Sequence, residues 1–206
     1  MRKVAESTVR RLSLYLRFLE EFDEEGLATI SSEALASRGG TTSAQVRKDL
    51  SFFGSFGKRG LGYPVPELLG RLREILGLER RYRVAMIGAG KIGGALAQYR
   101  GFRQRGFDIA AIFDVDPAKI GHQWNGLTVR DIADLERELT AQPVEMAVVV
   151  TPPDAAQAVT DRLVRLGVKA LLNFAPLQLA VPDDVVVKTV NLALELETLS
   201  YALTNR

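Results

Sequence analysis

Residues 83–93, RVAMIGAGKIG, constrain the fold more than any other stretch of the chain. The apolar run Val84 to Ile87 passes straight into Gly88-Ala89-Gly90-Lys91-Ile92-Gly93, and a small-residue helical pattern, GALAQY, follows. Strand, glycine turn and helix in that order open a βαβ unit. Gly88 permits the tight turn, Gly90 lets backbone approach a pyrophosphate without a Cβ in the way, and Gly93 lets the helix pack close to the strand. The helix start supplies unbonded N–H groups and a positive dipole end for phosphates. Asp114 closes IAAIFD, 21 residues after Gly93. That is near the ~20 residues at which an acid meets the adenosine ribose hydroxyls. A carboxylate there repels a 2′-phosphate, so the pattern favours NAD(H) over NADP(H).

The stretch after residue 82 continues to alternate strand and helix patterns, the signature of a parallel α/β sheet. Strands are expected over 83–87, 109–113, 146–150, 170–174 and 185–187, and helices over 92–104, 131–139 and 154–166. Ligands in such sheets sit beyond the carboxyl ends of the strands. Thr151-Pro152 after one strand and Asn173-Phe174 after the next are therefore candidate cofactor neighbours, with a purely structural loop the equal alternative for each. Lys91 and Ile92 fall within the glycine turn itself. Asp116-Pro117 reads as a helix cap and first-turn proline. The final segment, VNLALELETLSYALTNR, places Leu192, Leu196, Leu199 and Leu203 on one helical face and Leu194 and Tyr201 on the other. A helix apolar around so much of its girth calls for a partner, such as a second subunit.

The first 78 residues have a different character. TVRRLSLYLRFLEEF spaces Val9, Leu12, Leu16 and Leu19 as a helix. Ser31-Ser32 before EALA mark a capped short helix, Gly39-Gly40 break it, and Thr41, Thr42 or Ser43 can cap the next, AQVRKDLSFF. In that helix Val46, Leu50 and Phe53 form the buried face, while Gln45, Arg47, Lys48 and Ser51 lie outside it. GSFGKRGLGYPVPEL is too rich in glycine and proline for a helix and fits a β-hairpin or wing with Lys58-Arg59-Gly60 at its tip. The order is that of a winged helix-turn-helix. Residues 38–59 carry Arg38, Arg47, Lys48, Lys58 and Arg59 against the single acid Asp49, whereas residues 81–206 balance 14 bases with 14 acids. A polyanion is thus expected at the N-terminal part. The division expected is 1–78 for a DNA-binding domain, 82–188 for a dinucleotide domain and 189–206 for a dimerisation helix.

The sequence contains no cysteine and one histidine, His122 in a surface turn, which excludes thiolate metal sites and argues against a zinc site or a histidine base. No stretch approaches the ~20 apolar residues of a membrane span. The opening residues lack the apolar core of a secretory signal, so a cytoplasmic protein is expected. Little chain is left over for a substrate domain, and no paired carboxylates share a face. A small NAD-dependent oxidoreductase dimerised by its N-terminal domain is the alternative reading, and another adenine nucleotide such as CoA is a third.

The chain resembles the Rex family of bacterial redox-sensing transcriptional repressors. The likeness is carried by YLRFLEE, SSEALA, AQVRKDLSFFGSFGKRGLGYPV, IGAGKIGGALAQYRGF, IFDVDPAKIG, LLNFAP and LSYAL. The resemblance implies a homodimer with an N-terminal winged helix, a Rossmann-like domain and a domain-swapped last helix. Such a protein binds palindromic operators when NADH is scarce relative to NAD+ and leaves DNA when NADH binds. It is a regulator and not an enzyme. By position, the resemblance sets Gln45, Arg47 and Lys48, with Ser43 and Ser51 beside them, on the recognition helix in the major groove. It sets Lys58, Arg59 and Gly60 at the wing tip that enters the minor groove. Gly88 to Gly93 and Asp114 match the NAD(H) site, and Tyr99 matches a family tyrosine near the nicotinamide. Arg17 matches an arginine that couples the two domains through an acid in the terminal helix. The aligned position here is Asn191, which accepts a hydrogen bond but carries no charge; Glu195, one turn later, is the acidic alternative.

Overall fold

A computed structural model describes residues 4–57 and 60–205, which form two compact units dividing between Arg80 and Arg81. The first unit begins with α1 (Glu6–Glu24), followed by β1 (Thr29–Ile30), α2 (Ser32–Gly39), α3 (Ser43–Ser51), β2 (Tyr63–Pro64) and α4 (Val65–Ile75). Leu12, Leu16 and Leu19 of α1, Leu35 of α2, Val46 and Leu50 of α3, and Leu68 and Leu72 of α4 share one core. Each such side chain taken from water contributes about 1.5–3 kcal/mol. Phe53 joins that core only partly buried. Ser31 caps α2 by accepting from the Ala34 N–H at 3.1 Å, and Gly40, at φ +58°, ends it. Of the three hydroxyl residues able to cap α3, Thr42 does so, accepting from the Gln45 N–H at 3.1 Å.

The stretch expected as a hairpin or wing returns along β1. Its returning strand β2 pairs antiparallel with β1, Ile30 opposite Tyr63. Gly62, at φ +80°, makes this possible, because a Cβ there would lie 2.5 Å from the Ile30 carbonyl oxygen. Lys58 and Arg59 lie outside the described residues.

The second unit runs β3 (Tyr82–Ile87), α5 (Lys91–Gln98), α6 (Arg100–Gln104), β4 (Phe107–Asp114), β5 (Gln123–Trp124), β6 (Leu127–Asp131), α7 (Leu135–Ala141), β7 (Met146–Val149), α8 (Pro153–Arg165), β8 (Ala170–Asn173), β9 (Val186–Thr189) and α9 (Leu192–Thr204). The sheet order is β5-β6-β4-β3-β7-β8-β9, parallel throughout except for the β5–β6 pair. Side chains alternate across it. Ala85 and Ile87 enter a core with Leu135, Leu139, Val159 and Leu163 of α7 and α8, while Val84 and Met86 face a smaller core with Ala97 of α5. The chain winds outward from β3 through β4 to β6, then returns to β7 on the other side of β3. That reversal is the switch point at which such sheets open a crevice.

Three expectations are corrected in this unit. The helix expected over 92–104 is two helices, broken at Tyr99, whose backbone is extended at ψ 106°. The helix expected over 131–139 starts only at Leu135, because 127–131 is a strand and Ile132–Asp134 a single 3₁₀ turn. Asp116-Pro117 opens no helix; the Asp116 carboxylate accepts from the Ala118 N–H at 2.9 Å and closes a turn. The apolar α9 has no buried residue. Among the described residues no helix is long and apolar enough to cross a membrane.

Candidate dinucleotide cleft and nucleic-acid interface

The glycine turn sits where β3 ends against β4 and β7. Gly88 takes φ +107°, and its N–H donates to the Phe113 carbonyl at 2.8 Å. A Cβ on Gly88 would lie 2.7 Å from the Val150 oxygen, and one on Gly93 only 2.0 Å from the Gly88 oxygen. Those two glycines are required by packing. At Gly90 a Cβ would meet nothing within 4 Å, so this position opens on space. Gly90 is the N-cap of α5 and provides no side-chain cap. The first N–H groups of α5 therefore have no intrahelical acceptor and suit an anion. Ala89 is buried, while Lys91 and Ile92 are exposed.

A cleft of about 430 Å³ opens here, lined by Gly88, Gly90, Asp114, Lys119, Thr151 and Pro152 among others. Asp114 is 8% exposed and braces the turn. Its Oδ2 accepts from the Ala89 N–H at 2.6 Å and its Oδ1 from the Asp116 N–H at 2.9 Å. Burial alone would push this carboxyl up, but those two N–H groups and Lys119 hold it below the usual carboxylate range. On the opposite wall the Thr151 hydroxyl is buried with no hydrogen-bond partner among the described residues. A buried orphan of this kind costs about 1–3 kcal/mol until something bonds it. Together with the open Gly90 and the unbonded N–H groups, it fits the residues to a phosphate-bearing dinucleotide.

The remaining residues singled out on this side lie elsewhere. Asn173 is fully buried, and its amide bonds the Ala175 and Leu177 carbonyls and the Ala175 N–H, so it holds its own loop rather than lining the cleft. Phe174 packs against the α5 side of the sheet. Tyr99 is 61% exposed between α5 and α6, its ring edge-on to Phe102. Asn191 caps α9, its side-chain oxygen accepting from the Ala193 N–H at 3.1 Å and the Leu194 N–H at 3.4 Å. His122 is exposed. Among the described residues no group of three metal-binding side chains comes together.

In the first unit, α3 presents Arg47, Lys48 and Ser51 outward. Arg47 Nη1 donates to the Ser32 hydroxyl at 2.9 Å, and Ser51 donates to the Lys48 carbonyl at 2.9 Å. Ser43 is half-buried at the start of the helix, and Gly60, at φ +84°, is exposed in the wing. Arg17 is exposed on α1.

Gln45 is not simply outward. Its Nε2 donates to Asp49 Oδ1 at 2.8 Å. Asp49 is 2% exposed and is gripped by Arg11, Nε to Oδ2 at 2.6 Å and Nη2 to Oδ1 at 2.7 Å, while the Tyr15 hydroxyl donates to Oδ2 at 3.1 Å. These contacts lower the Asp49 pKa against the burial that would raise it, and burial with the Asp49 contact pushes the Tyr15 phenol up to about 12. The local charge balance read from sequence needs adjustment as well. The one acid is internal, and Arg38 pairs with Glu21 at 2.5 Å and Glu25 at 3.0 Å of the α1 segment. The exposed face of α3 is consequently all basic or neutral. The roles of Arg11 and Tyr15 are not legible in the sequence, because each bonds a residue more than thirty positions away.

A winged helix with a basic reading face, joined to a doubly wound domain with a phosphate-binding turn, defines a DNA-binding regulator with a nucleotide-binding domain. A family model described as a CoA binding domain matches residues 79–177, and one describing a DNA-binding protein N-terminus matches residues 3–51. The redox-sensing transcriptional repressor Rex of Syntrophomonas wolfei subsp. wolfei is 49% identical, over 99% of this chain and 98% of its own length. The crystal structure of RSP in complex with beta-NAD+ and operator DNA has a TM-score of 0.94 at 40% identity, covering 98% of this chain and 94% of that one. The structure of RSP in complex with beta-NADH has a TM-score of 0.89 at 39% identity, covering 98% and 95%. The chain belongs to the Rex family of redox-sensing transcriptional repressors.

Proposed function

We propose that this chain is a transcriptional repressor that senses the balance of NADH and NAD+. It binds palindromic operator DNA when NADH is low and releases it when NADH binds. The observation that carries this is the pairing, in one chain, of a basic reading helix with a glycine-turn cleft whose Thr151 hydroxyl and α5 N–H groups await an anionic partner. It is supported by relatives named as redox-sensing repressors and by the solved complexes of RSP, a Rex-family repressor, with NAD+ and operator DNA and with NADH.

Within this reading the α5 N-terminus at Gly90 to Gly93 takes the pyrophosphate, the one acceptor position left on Asp114 takes a ribose hydroxyl, and Thr151 and Pro152 flank the bound dinucleotide. Tyr99 closes on the nicotinamide side. No turnover is needed: the cofactor acts through its differential affinity for two arrangements. Arg47, Lys48 and Ser51 meet the major groove, with Gln45 oriented by Asp49, and Lys58, Arg59 and Gly60 the minor groove. The exposed leucines of α9 pack on a second copy, giving a homodimer matched to a two-fold operator. Arg17 and Asn191 belong to the coupling between head and cleft, without a charge on the Asn191 side. The protein works in the cytoplasm.

Operator affinity, measured at fixed salt with and without NADH, tests the proposal. NADH is expected to weaken binding, and an unchanged affinity sinks the reading. Gly90→Glu is expected to abolish the NADH response while leaving cofactor-free operator binding intact, since it sets bulk and charge where a Cβ now meets nothing. Competition by CoA in the same titration separates the adenine-nucleotide alternative raised by the domain model at residues 79–177.

A further inference from the structure

The wall of the cleft beyond β4 carries a cation that the glycine turn does not require. Lys119 Nζ lies 3.3 Å from Asp114 Oδ2 and 3.3 Å from Asp116 Oδ2, and its side chain is 36% exposed within the same cleft. Asp114 has little acceptor capacity left: Oδ2 takes Ala89 and Lys119, and Oδ1 takes the Asp116 N–H. An ammonium has three protons. Two of them face these carboxylates, which leaves one for a ligand.

We propose that Lys119 is a specificity-determining residue of the cleft, donating to the adenosine ribose and tempering the rejection of a 2′-phosphate. The proposal rests on reading the cleft as an NAD(H) site. Asp114, Asp116 and Lys119 give this corner a net charge of one negative unit. Without Lys119 it carries two, and a 2′-phosphate brings about two more. Asp116 sets the balance from the other side. Its Oδ1 holds the Ala118 N–H, a bond an asparagine oxygen can keep, so neutralising it need not open the turn.

The test is calorimetric titration of the full chain with NADH and with NADPH, for the wild type, Lys119→Ala, Lys119→Arg and Asp116→Asn. Lys119→Ala is expected to weaken NADH by up to about tenfold, the loss of one charge-assisted hydrogen bond. It should weaken NADPH by at least a further tenfold or so, because repulsion at the 2′ position is then unopposed. Lys119→Arg should restore the wild-type ratio, and Asp116→Asn should shift it toward NADPH. An unchanged NADH/NADPH ratio in Lys119→Ala and Asp116→Asn overturns the inference and leaves Lys119 as a brace for its loop. Failure of the wild type to bind NADH overturns the reading of the cleft itself, and the inference with it.

Discussion

Asp49→Ala is expected to destabilise the N-terminal unit by about 3–5 kcal/mol, the usual penalty for removing one member of a buried ion pair. The carboxylate is held by Arg11, Tyr15 and Gln45. Its loss strands a buried phenol and a half-buried guanidinium together. Denaturation of the full chain should show a lowered transition for this unit, while NADH titration reports the second unit unaffected. Operator discrimination should fall even in conditions where the variant is folded, since Gln45 loses its anchor. A wild-type-like melt and wild-type-like operator preference would show that the network does not hold α3.

The same network sets the pH limits of the reading head. Asp49 has a depressed folded pKa, so its contribution is whole above the ordinary carboxylate range and fades as pH falls through the folded value. Tyr15 is raised from 10.0 to about 12, so its contribution is whole below pH 10 and is lost as pH climbs from 10 toward 12.

Gly93→Ala should produce the second large effect. The added methyl would fall 2.0 Å from the Gly88 carbonyl oxygen and 3.2 Å from Val150 Cγ2. The first obstacle is backbone that is itself fixed, because Gly88 donates to Phe113 and packs against the Val150 carbonyl. Overpacking of this severity costs about 3 kcal/mol or more and displaces the turn. Operator binding should persist and become indifferent to NADH, giving a repressor that cannot be relieved. Retention of the NADH response would mean that the close approach of helix and strand is not needed for the cofactor.

The glycine turn was legible because each of its residues answers a local steric demand: Gly88 and Gly93 meet carbonyl oxygens, and Gly90 meets open space. The α3 cap was legible as a choice among three hydroxyl residues, and only the fold selects Thr42. Other features needed tertiary context. The Asn125-Gly126 pair between Trp124 and Leu127 is a strong hairpin signal, with both residues at positive φ, yet it lay beside a segment patterned like a helix start. The break at Tyr99 has no proline or glycine of its own, and its ring lies over Gly101, the second residue of the following helix. Asn173, from its place after a strand, read equally as a ligand neighbour or a structural loop, and the three hydrogen bonds its buried amide makes to Ala175 and Leu177 are invisible in a linear reading. Asp49 counted as a surface charge in the sequence because nothing local announces that Arg11 reaches it.

The lone tryptophan of the chain, Trp124, lies against the α5 backbone, where a Cβ on Gly94 would come 3.2 Å from its ring. The indole thus touches the helix whose beginning would hold the pyrophosphate. The chain therefore carries its own fluorophore next to the event that matters. Quenching or energy transfer from this emitter to a dihydronicotinamide would follow occupancy in real time, with no label and no second tryptophan in the same chain to confuse the signal.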